Sequence, residues 1–522
     1  MYLDREIGLN EIRRVSEWDV VVIGGGASGL GAAIDAQTRG FRTLLMEQSD
    51  FTKGTSSRST KLVHGGVRYL AQGYIGLVRE ALRERGRLHQ NAPHLVKDLR
   101  FIIPAYRWWE RLYYTCGLTV YDLMAGRLGF GRSLPCTRQT TLEKIPTLNS
   151  AKLRGGVLYH DGQFDDSRLA INLAQTAMEQ GGTLLNYMAV TGLLKNSEGK
   201  IAGVKTKDHE SGEEFAIRAK AVLNATGVFV NDIVKMDNTT TGELVRPSQG
   251  IHIVLGKEFL PGAHAIMIPK TSDGRVLFAI PWHDRVVVGT TDVLKEHVEL
   301  EPKPIDEEVT FILETVSRFL QKPPTRADVK SVFAGLRPLA APQKGQQRTK
   351  EISRGHKIVV SDSNLVTVIG GKWTTYRQMA EDAIDKLAEV CGLPAVKTGT
   401  EHLAIHGAES CAPNDDPLAW YGSDRAALQT LIAEKPELGT IVSNELNIKK
   451  VQIVWAVRHE MARTVEDVLA RRTRALLLDA RESVRIAPVV AGVMSRELGR
   501  DAEWEKQQVE AYTKLAGNYI LT

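Results

Sequence analysis

The sequence predicts an α/β chain of three units: a parallel-sheet unit, an antiparallel-sheet unit and a helical C-terminal unit. Three observations predict it. A β-branched run, Asp19–Ile23, ends in glycines and leads into a helix-patterned segment. Between residues 251 and 288 short apolar runs alternate with turns. Beyond about residue 400 the pattern switches to helical spacing rich in arginine, leucine and alanine.

The first fifty residues spell a βαβ unit. Asp19–Ile23 (DVVVI) has the composition of a buried parallel strand, Gly29 to Thr38 carries alanines and leucine at helical spacing, and Arg39-Gly40 closes that helix. Thr43–Met46 is the second strand, ending at Glu47. Later strands fall at Ala221–Leu223 and Leu365–Ile369, each running into a glycine-containing turn. The antiparallel strands are Ile251–Leu255, Val276–Ile280 and Arg285–Val288, and the C-terminal helices are Ala426–Glu434, Val451–Ala470 and Val484–Glu497. The resulting division has a discontinuous first domain (16–95, 150–235 and 333–397). A second domain covers 96–149 and 236–332, and a helical domain covers 398–522.

A chain of 522 residues exceeds one hydrophobic core, so two or three domains are expected. Hydrophobic residues at 43% and charged ones at 25% fit a folded, soluble protein. No repeat period stands out, which argues against a solenoid or propeller. The N-terminal MYLDREIGLNEIRRV is acidic in part and lacks an apolar core, so no export signal is expected. No apolar run reaches the roughly 18 residues of a membrane span; Val20 to Ala33 is broken by five glycines and a serine. The cysteines Cys116, Cys136, Cys391 and Cys411 form no C-x-x-C pair, so no metal site, iron–sulfur cluster or disulfide framework is expected. The net charge of +5 is local: Arg79 to Arg138 holds eleven Lys/Arg against five Asp/Glu.

Gly24-Gly25-Gly26-Ala27-Ser28-Gly29 fits G-x-G-x-x-G. Gly24 serves the tight turn, Gly26 the close approach to a pyrophosphate, and Gly29 helix–strand packing. The helix that follows presents free N–H groups to the phosphates, and Glu47 is set to bind the ribose hydroxyls. The unit is therefore Rossmann-like. Three further segments select FAD over NAD. Asn224-Ala225-Thr226-Gly227 resembles the A-T-G turn of FAD proteins, with Ala225, Thr226 and Gly227 against the cofactor. A late strand–glycine–helix junction, Gly370-Gly371-Lys372 with Thr374, would meet the flavin end. The loop Gly54 to Gly66 is rich in hydroxyls and glycine, and its Thr55, Ser56, Ser57, Ser59, Lys61, Leu62 and His64 are assigned to the cofactor.

Together with these segments, TSSRSTKLVHGGVRYL, LNATGVFV, FAIPWHDRVVVGTTD, GLRPL, IGGKWTTYR and VRHEMARTVEDVLARRTR complete a motif set. The set, in order from about residue 18 to 475, resembles that of the FAD-dependent (aerobic-type) glycerol-3-phosphate dehydrogenases. The resemblance implies a Rossmann-like FAD-binding domain, an antiparallel-sheet substrate domain and a C-terminal helical domain. It implies oxidation of glycerol 3-phosphate to dihydroxyacetone phosphate, with hydride passing to flavin N5. A phosphate dianion calls for converging cations; by resemblance Arg337, Arg354 and Lys372 line the substrate pocket, with Arg68 and Tyr69 nearby. His64 and His252 are both candidate bases, and Arg337 is counted with them in the catalytic set.

Other readings are an amine or amino-acid oxidase of the same architecture, a soluble oxidase using oxygen, a flavoprotein scaffold, and an FAD-containing nucleic-acid binder. The cation cluster and the I-P-W…G-T-T-D run disfavour the first, and interleaved acids in 79–138 disfavour the last. The partners expected are glycerol 3-phosphate, a quinone and a membrane surface, without nucleic acid; a homodimer is admitted. Membrane docking rests on Arg107 to Met124. As a helix, this segment aligns Trp108, Leu112, Cys116, Thr119 and Leu123 on one stripe, with Trp109, Tyr113, Val120 and Met124 beside it. The expected location is cytoplasmic, peripheral at the inner face of the membrane.

Overall fold

The computed structural model describes residues 3–341, 355–409 and 416–521. The strand Trp18–Ile23 lies at the heart of an eight-stranded sheet. Its order is 356–360, 366–370, 214–224, 18–23, 43–46, 183–185, and every pair is parallel except the first. Val20, Val21 and Val22 are fully buried because helices cover the sheet's faces. The helix Ala27–Thr38 starts immediately after the glycine turn, which puts the helix N-terminus beside the carboxyl ends of the parallel strands. A β-hairpin, Met188–Lys195 with Ile201–Asp208, extends the sheet along Glu214–Asn224.

The second sheet has ten strands, mostly antiparallel, with one parallel pair between Lys97–Ala105 and His264–Ile268. It differs from the sequence-based division in membership. Leu62–Val63, Gly155–Gln163 and the part of Val329–Ala340 from residue 333 onward, assigned by sequence to the first domain, are hydrogen-bonded into this second sheet. The physical reason is edge pairing: Gly155–Gln163 closes nine residue pairs with Lys97–Ala105, a partner that no local pattern identifies.

The helices Lys450–His459, Ala480–Leu498 and Ala502–Ala516 form the C-terminal unit, and they pack on Val254, Trp282, Val287 and Phe333 of the second sheet. The sequence suggests one helix from Val451 to Ala470; the structure ends it at His459 and resumes with a π-helical turn at Asp467–Arg472. Buried ion pairs account for the interruption. Glu460 takes Arg168, and Asp467 accepts the backbone N–H groups of Arg463 and Thr464 while holding Arg471. Asp50, fully buried, receives Arg471 and Arg472 from the C-terminal unit. Glu301 gathers Arg58 (2.7 Å), Lys53 (3.3 Å) and the hydroxyl of Tyr519 (2.9 Å).

The expected aromatic helix forms over Glu110–Ala125, later than the expected start, so Arg107 and Trp108 lie in the turn before it and Trp109 at its N-cap; it runs through Gly117, where an added Cβ would face open space. Only Leu118 and Tyr121 are buried on it, and the Tyr121 hydroxyl donates to Asp161 (2.7 Å). Among the described residues no helix is long and apolar enough to cross a membrane.

Candidate active site

A cleft of about 620 Å³ runs between the two sheets and is lined by both halves of the sequence-predicted site. Gly24, Gly26, Glu47, Thr55, Ser56, Ser59, Ala225, Thr226 and Gly227 line it together with Leu62, His64, Gly370, Gly371, Lys372 and Thr374. Arg68, Tyr69, His252 and Arg337 line the same cleft. Arg354 lies outside the described residues.

The glycine turn is built for a close visitor. Gly24 has φ +107°, and a Cβ there would sit 2.8 Å from the Ala225 carbonyl oxygen. Gly29 lines no cleft; it is the packing glycine, because a Cβ would overlap the Gly24 carbonyl. The Ser56 hydroxyl accepts from Ala27 N–H (3.0 Å), satisfying one orphan donor of the helix N-terminus from across the cleft. Glu47 accepts from the N–H groups of Gly25 (2.7 Å) and Ser49 (3.0 Å). Burial nonetheless raises its pKa above the ordinary carboxylate value. A carboxylate has more acceptor sites than these two bonds use, so it remains able to accept from ribose hydroxyls. The cradle therefore fits FAD at its adenosine and pyrophosphate end. At the other end, Gly370 and Gly371 take φ +75° and +86° and turn the chain at the cleft wall.

Two residues of the hydroxyl-rich loop depart from their expected cofactor role. Lys61 and Ser57 are absent from the cleft wall. Lys61 is fully buried, and its ammonium donates to both carboxylate oxygens of Asp166 (2.7 and 2.8 Å) and to the Ser57 carbonyl (2.7 Å). A buried cation needs such pairing, so the loop's composition reflects its own anchoring as much as any ligand. Ser59, which does reach the cleft, also donates to Asp166 through N–H (3.1 Å) and hydroxyl (2.7 Å).

The cations and histidines fall into two groups. Lys372 Nζ sits 4.1 Å from the centroid of the Tyr69 ring. His64, whose backbone N–H donates to the Thr374 hydroxyl (3.1 Å), is close enough to feel Lys372, and burial chiefly lowers its pKa. On the other side, Arg337 donates to the Thr290 hydroxyl (3.0 Å) and lies 3.6 Å from Asp292. His252 is buried, its Nε2 meets the Thr60 hydroxyl at 2.9 Å, and its ring stacks on Phe333 at 4.9 Å. Its Nδ1 has no hydrogen-bond partner among the described residues. Burial, then Arg337 and Lys61, hold its pKa well below the ordinary histidine value, so the ring is neutral at neutral pH. Sequence reasoning missed Thr60, Asp166, Thr290 and Asp292, which hold the predicted residues in place. Thr60 lies in the hydroxyl-rich loop and Thr290 and Asp292 in the G-T-T-D run, but the pattern names no role for them, since each acts through a partner distant in sequence.

The comparisons with known proteins agree with this geometry. A family model described as FAD dependent oxidoreductase matches residues 19–377. A second, the C-terminal domain of alpha-glycerophosphate oxidase, matches 366–507. The mitochondrial glycerol-3-phosphate dehydrogenase of Bos taurus is 38% identical, over 98% of this chain and 74% of that protein. That of Schizosaccharomyces pombe is 36% identical, over 99% and 89%. Among solved structures, the glycerol-3-phosphate dehydrogenase from Bacillus halodurans complexed with FAD superposes with a TM-score of 0.80. It is 28% identical, and the match covers 99% of this chain and 98% of that one. A glycine cradle facing a cation-lined pocket, in a chain that matches such relatives from end to end, makes this protein a member of the FAD-dependent glycerol-3-phosphate dehydrogenases.

Proposed function

We propose that the protein oxidises glycerol 3-phosphate to dihydroxyacetone phosphate with FAD bound, and passes the electrons to a quinone at a membrane surface. The observation that carries the reading is one cleft with a dinucleotide cradle at one end and Arg68, Arg337 and Lys372 on its wall. These cations suit a phosphate dianion, which a neutral polyol or an amino acid does not present. When bound, FAD supplies the two-electron acceptor for the hydride leaving C2. The chain's own residues do the rest. Arg337, steadied by Thr290 and Asp292, fixes the substrate. His252 is neutral, ready to accept a proton, and oriented by two neighbours; its ring takes up the hydroxyl proton as the carbonyl forms. His64 is neutral as well, but no hydrogen bond fixes its ring among the described residues, and it fits a contact to the flavin end of the cleft.

Docking to the inner, cytoplasmic face of a membrane is supported by the aromatic helix. Trp108 is 80% exposed, Leu112 68% and Leu123 76%, and Tyr74 and Ile75 are exposed nearby in the chain segment after Arg68 and Tyr69. Tryptophan and tyrosine beside arginine suit a headgroup boundary. Two comparisons test the proposal. Purified enzyme should reduce a quinone anaerobically with glycerol 3-phosphate and react poorly with glycerol. Rapid turnover under air without quinone would point instead to an oxidase. Binding to anionic liposomes should weaken with salt and be lost in a Trp108→Ser, Trp109→Ser double variant; a protein that never sediments with vesicles would sink the docking claim.

A further inference from the structure

Asp165 and Asp166 lie at the start of the helix Asp166–Glu179, outside the cleft wall, and the function above makes no use of them. Both are fully buried. Asp165 caps the helix through Arg168 N–H (3.0 Å), and its second oxygen meets Arg474 of the C-terminal unit (2.9 Å) and His283 (3.0 Å). Asp166 draws in Ser59 and Lys61. From Asp166 two arms lead to His252. In the first, Ser59 and Lys61 flank Thr60, whose hydroxyl meets His252 Nε2 at 2.9 Å. In the second, the Lys61 ammonium lies 5.4 Å from the centroid of Phe333, the ring that stacks on His252.

Nothing else hydrogen-bonds the His252 ring among the described residues. An imidazole in a fixed tautomer needs one nitrogen engaged so that the other is free for chemistry. We propose that Thr60 is a positioning residue for His252, held in register by Asp166, and that Arg474 extends this hold to the C-terminal helical unit through Asp165. The proposal rests on the reading of His252 as the base. It gives the arginine-rich C-terminal motif a part in the chemistry beyond packing.

The test is carried by Thr60→Val, which keeps the side chain's shape and removes its hydroxyl, with Thr60→Ser as the rescue. Each variant is prepared as holoenzyme, and its flavin content and Tm are measured. Flavin reduction by glycerol 3-phosphate is then followed anaerobically across the pH range of activity. The charged groups facing the His252 ring, Arg337 from its strand and Lys61 from the loop, are the same in all three proteins. Thr60→Val should slow reduction about tenfold, as expected for one lost hydrogen bond. The KM should stay within about twofold, the acid limb of the pH profile should move, and flavin content should be unchanged. Thr60→Ser should restore both rate and limb. A double-mutant cycle separates the two ideas: in a His252→Asn background the Thr60→Val change should cost nothing further. A loss that persists undiminished there overturns the positioning role, as does a Thr60→Val enzyme with wild-type rate and limb. A His252→Asn enzyme that turns over normally overturns the base reading instead. Asp166→Asn and Arg474→Gln should reproduce the displaced limb in whatever fraction folds; a normal limb in folded Asp166→Asn enzyme refutes that link.

Discussion

Replacing Gly250 by alanine probes the placement of Arg337 without removing any functional group. A Cβ at residue 250 would sit 2.5 Å from Arg337 Nη1 and 2.6 Å from the Thr290 hydroxyl. Ordinary contact needs about 3.5 Å, so the guanidinium must move by roughly 1 Å. That atom is the far end of a flexible side chain, and Gly250 does not need a positive φ, so stability should change little. Catalysis should not be so tolerant. A misplacement of about 1 Å costs on the order of a hundredfold. Losing one charge-assisted hydrogen bond, about 1.5–3 kcal/mol, gives a similar tenfold to hundredfold loss. Steady-state kinetics with glycerol 3-phosphate and a dye acceptor should therefore show kcat/KM for Gly250→Ala down by about ten- to a hundredfold, with normal FAD content and Tm. In an Arg337→Ala background the same change should add nothing. A Gly250→Ala enzyme within twofold of wild type would refute the assignment of Arg337 to the substrate.

Two further predictions concern the seams between units. His406 bridges Glu179 (2.6 Å) and Asp424 (2.9 Å); burial opposes its charge, but the two carboxylates raise its pKa to about 9. Its unfolded value is about 6.5, so its stabilising contribution is complete below that pH and is lost as pH rises through about 9. Wild-type Tm should fall across this window more steeply than that of His406→Gln; parallel curves would reject the idea. Asp50→Asn leaves Arg471 and Arg472 buried beside a neutral partner and should cost about 3–5 kcal/mol, read as an earlier urea midpoint and faster proteolysis of the C-terminal unit. An unchanged midpoint would show that this network does not hold the unit.

The parts of the site that were legible in the sequence are those whose physics is local. Gly24 to Glu47 reads correctly because a strand, a glycine turn and a helix N-terminus are adjacent in the chain. The segment 155–163 falls within the first domain by sequence and in the second sheet by structure, because its pairing with 97–105 joins residues fifty or more positions apart, which periodicity does not record. Lys61 shows a different limit: a lysine in a hydroxyl-rich loop looks the same whether it faces a ligand or a buried aspartate. The stripe on the aromatic helix was legible from spacing, but not which side it faces. The structure turns Trp108, Leu112 and Leu123 outward and leaves Tyr121 to anchor the helix. The segment VRHEMARTVEDVLARRTR is visible as a pattern without a role, because Arg168, the partner of its Glu460, and Asp50, the partner of its Arg471 and Arg472, lie hundreds of residues away.

The meeting of Tyr519, Glu301, Arg58 and Lys53 bears on where this chain tolerates cutting. The last residues of a domain are ordinarily the safest to trim. Here Tyr519, beyond the last helix of the C-terminal unit, is buried and hydrogen-bonded to the carboxylate that also holds Arg58 and Lys53 of the loop at the cleft. Losing Tyr519 would take from Glu301 one of its three partners and leave the carboxylate to Arg58 and Lys53. An affinity tag whose linker pulls on Tyr519 would act on the same loop.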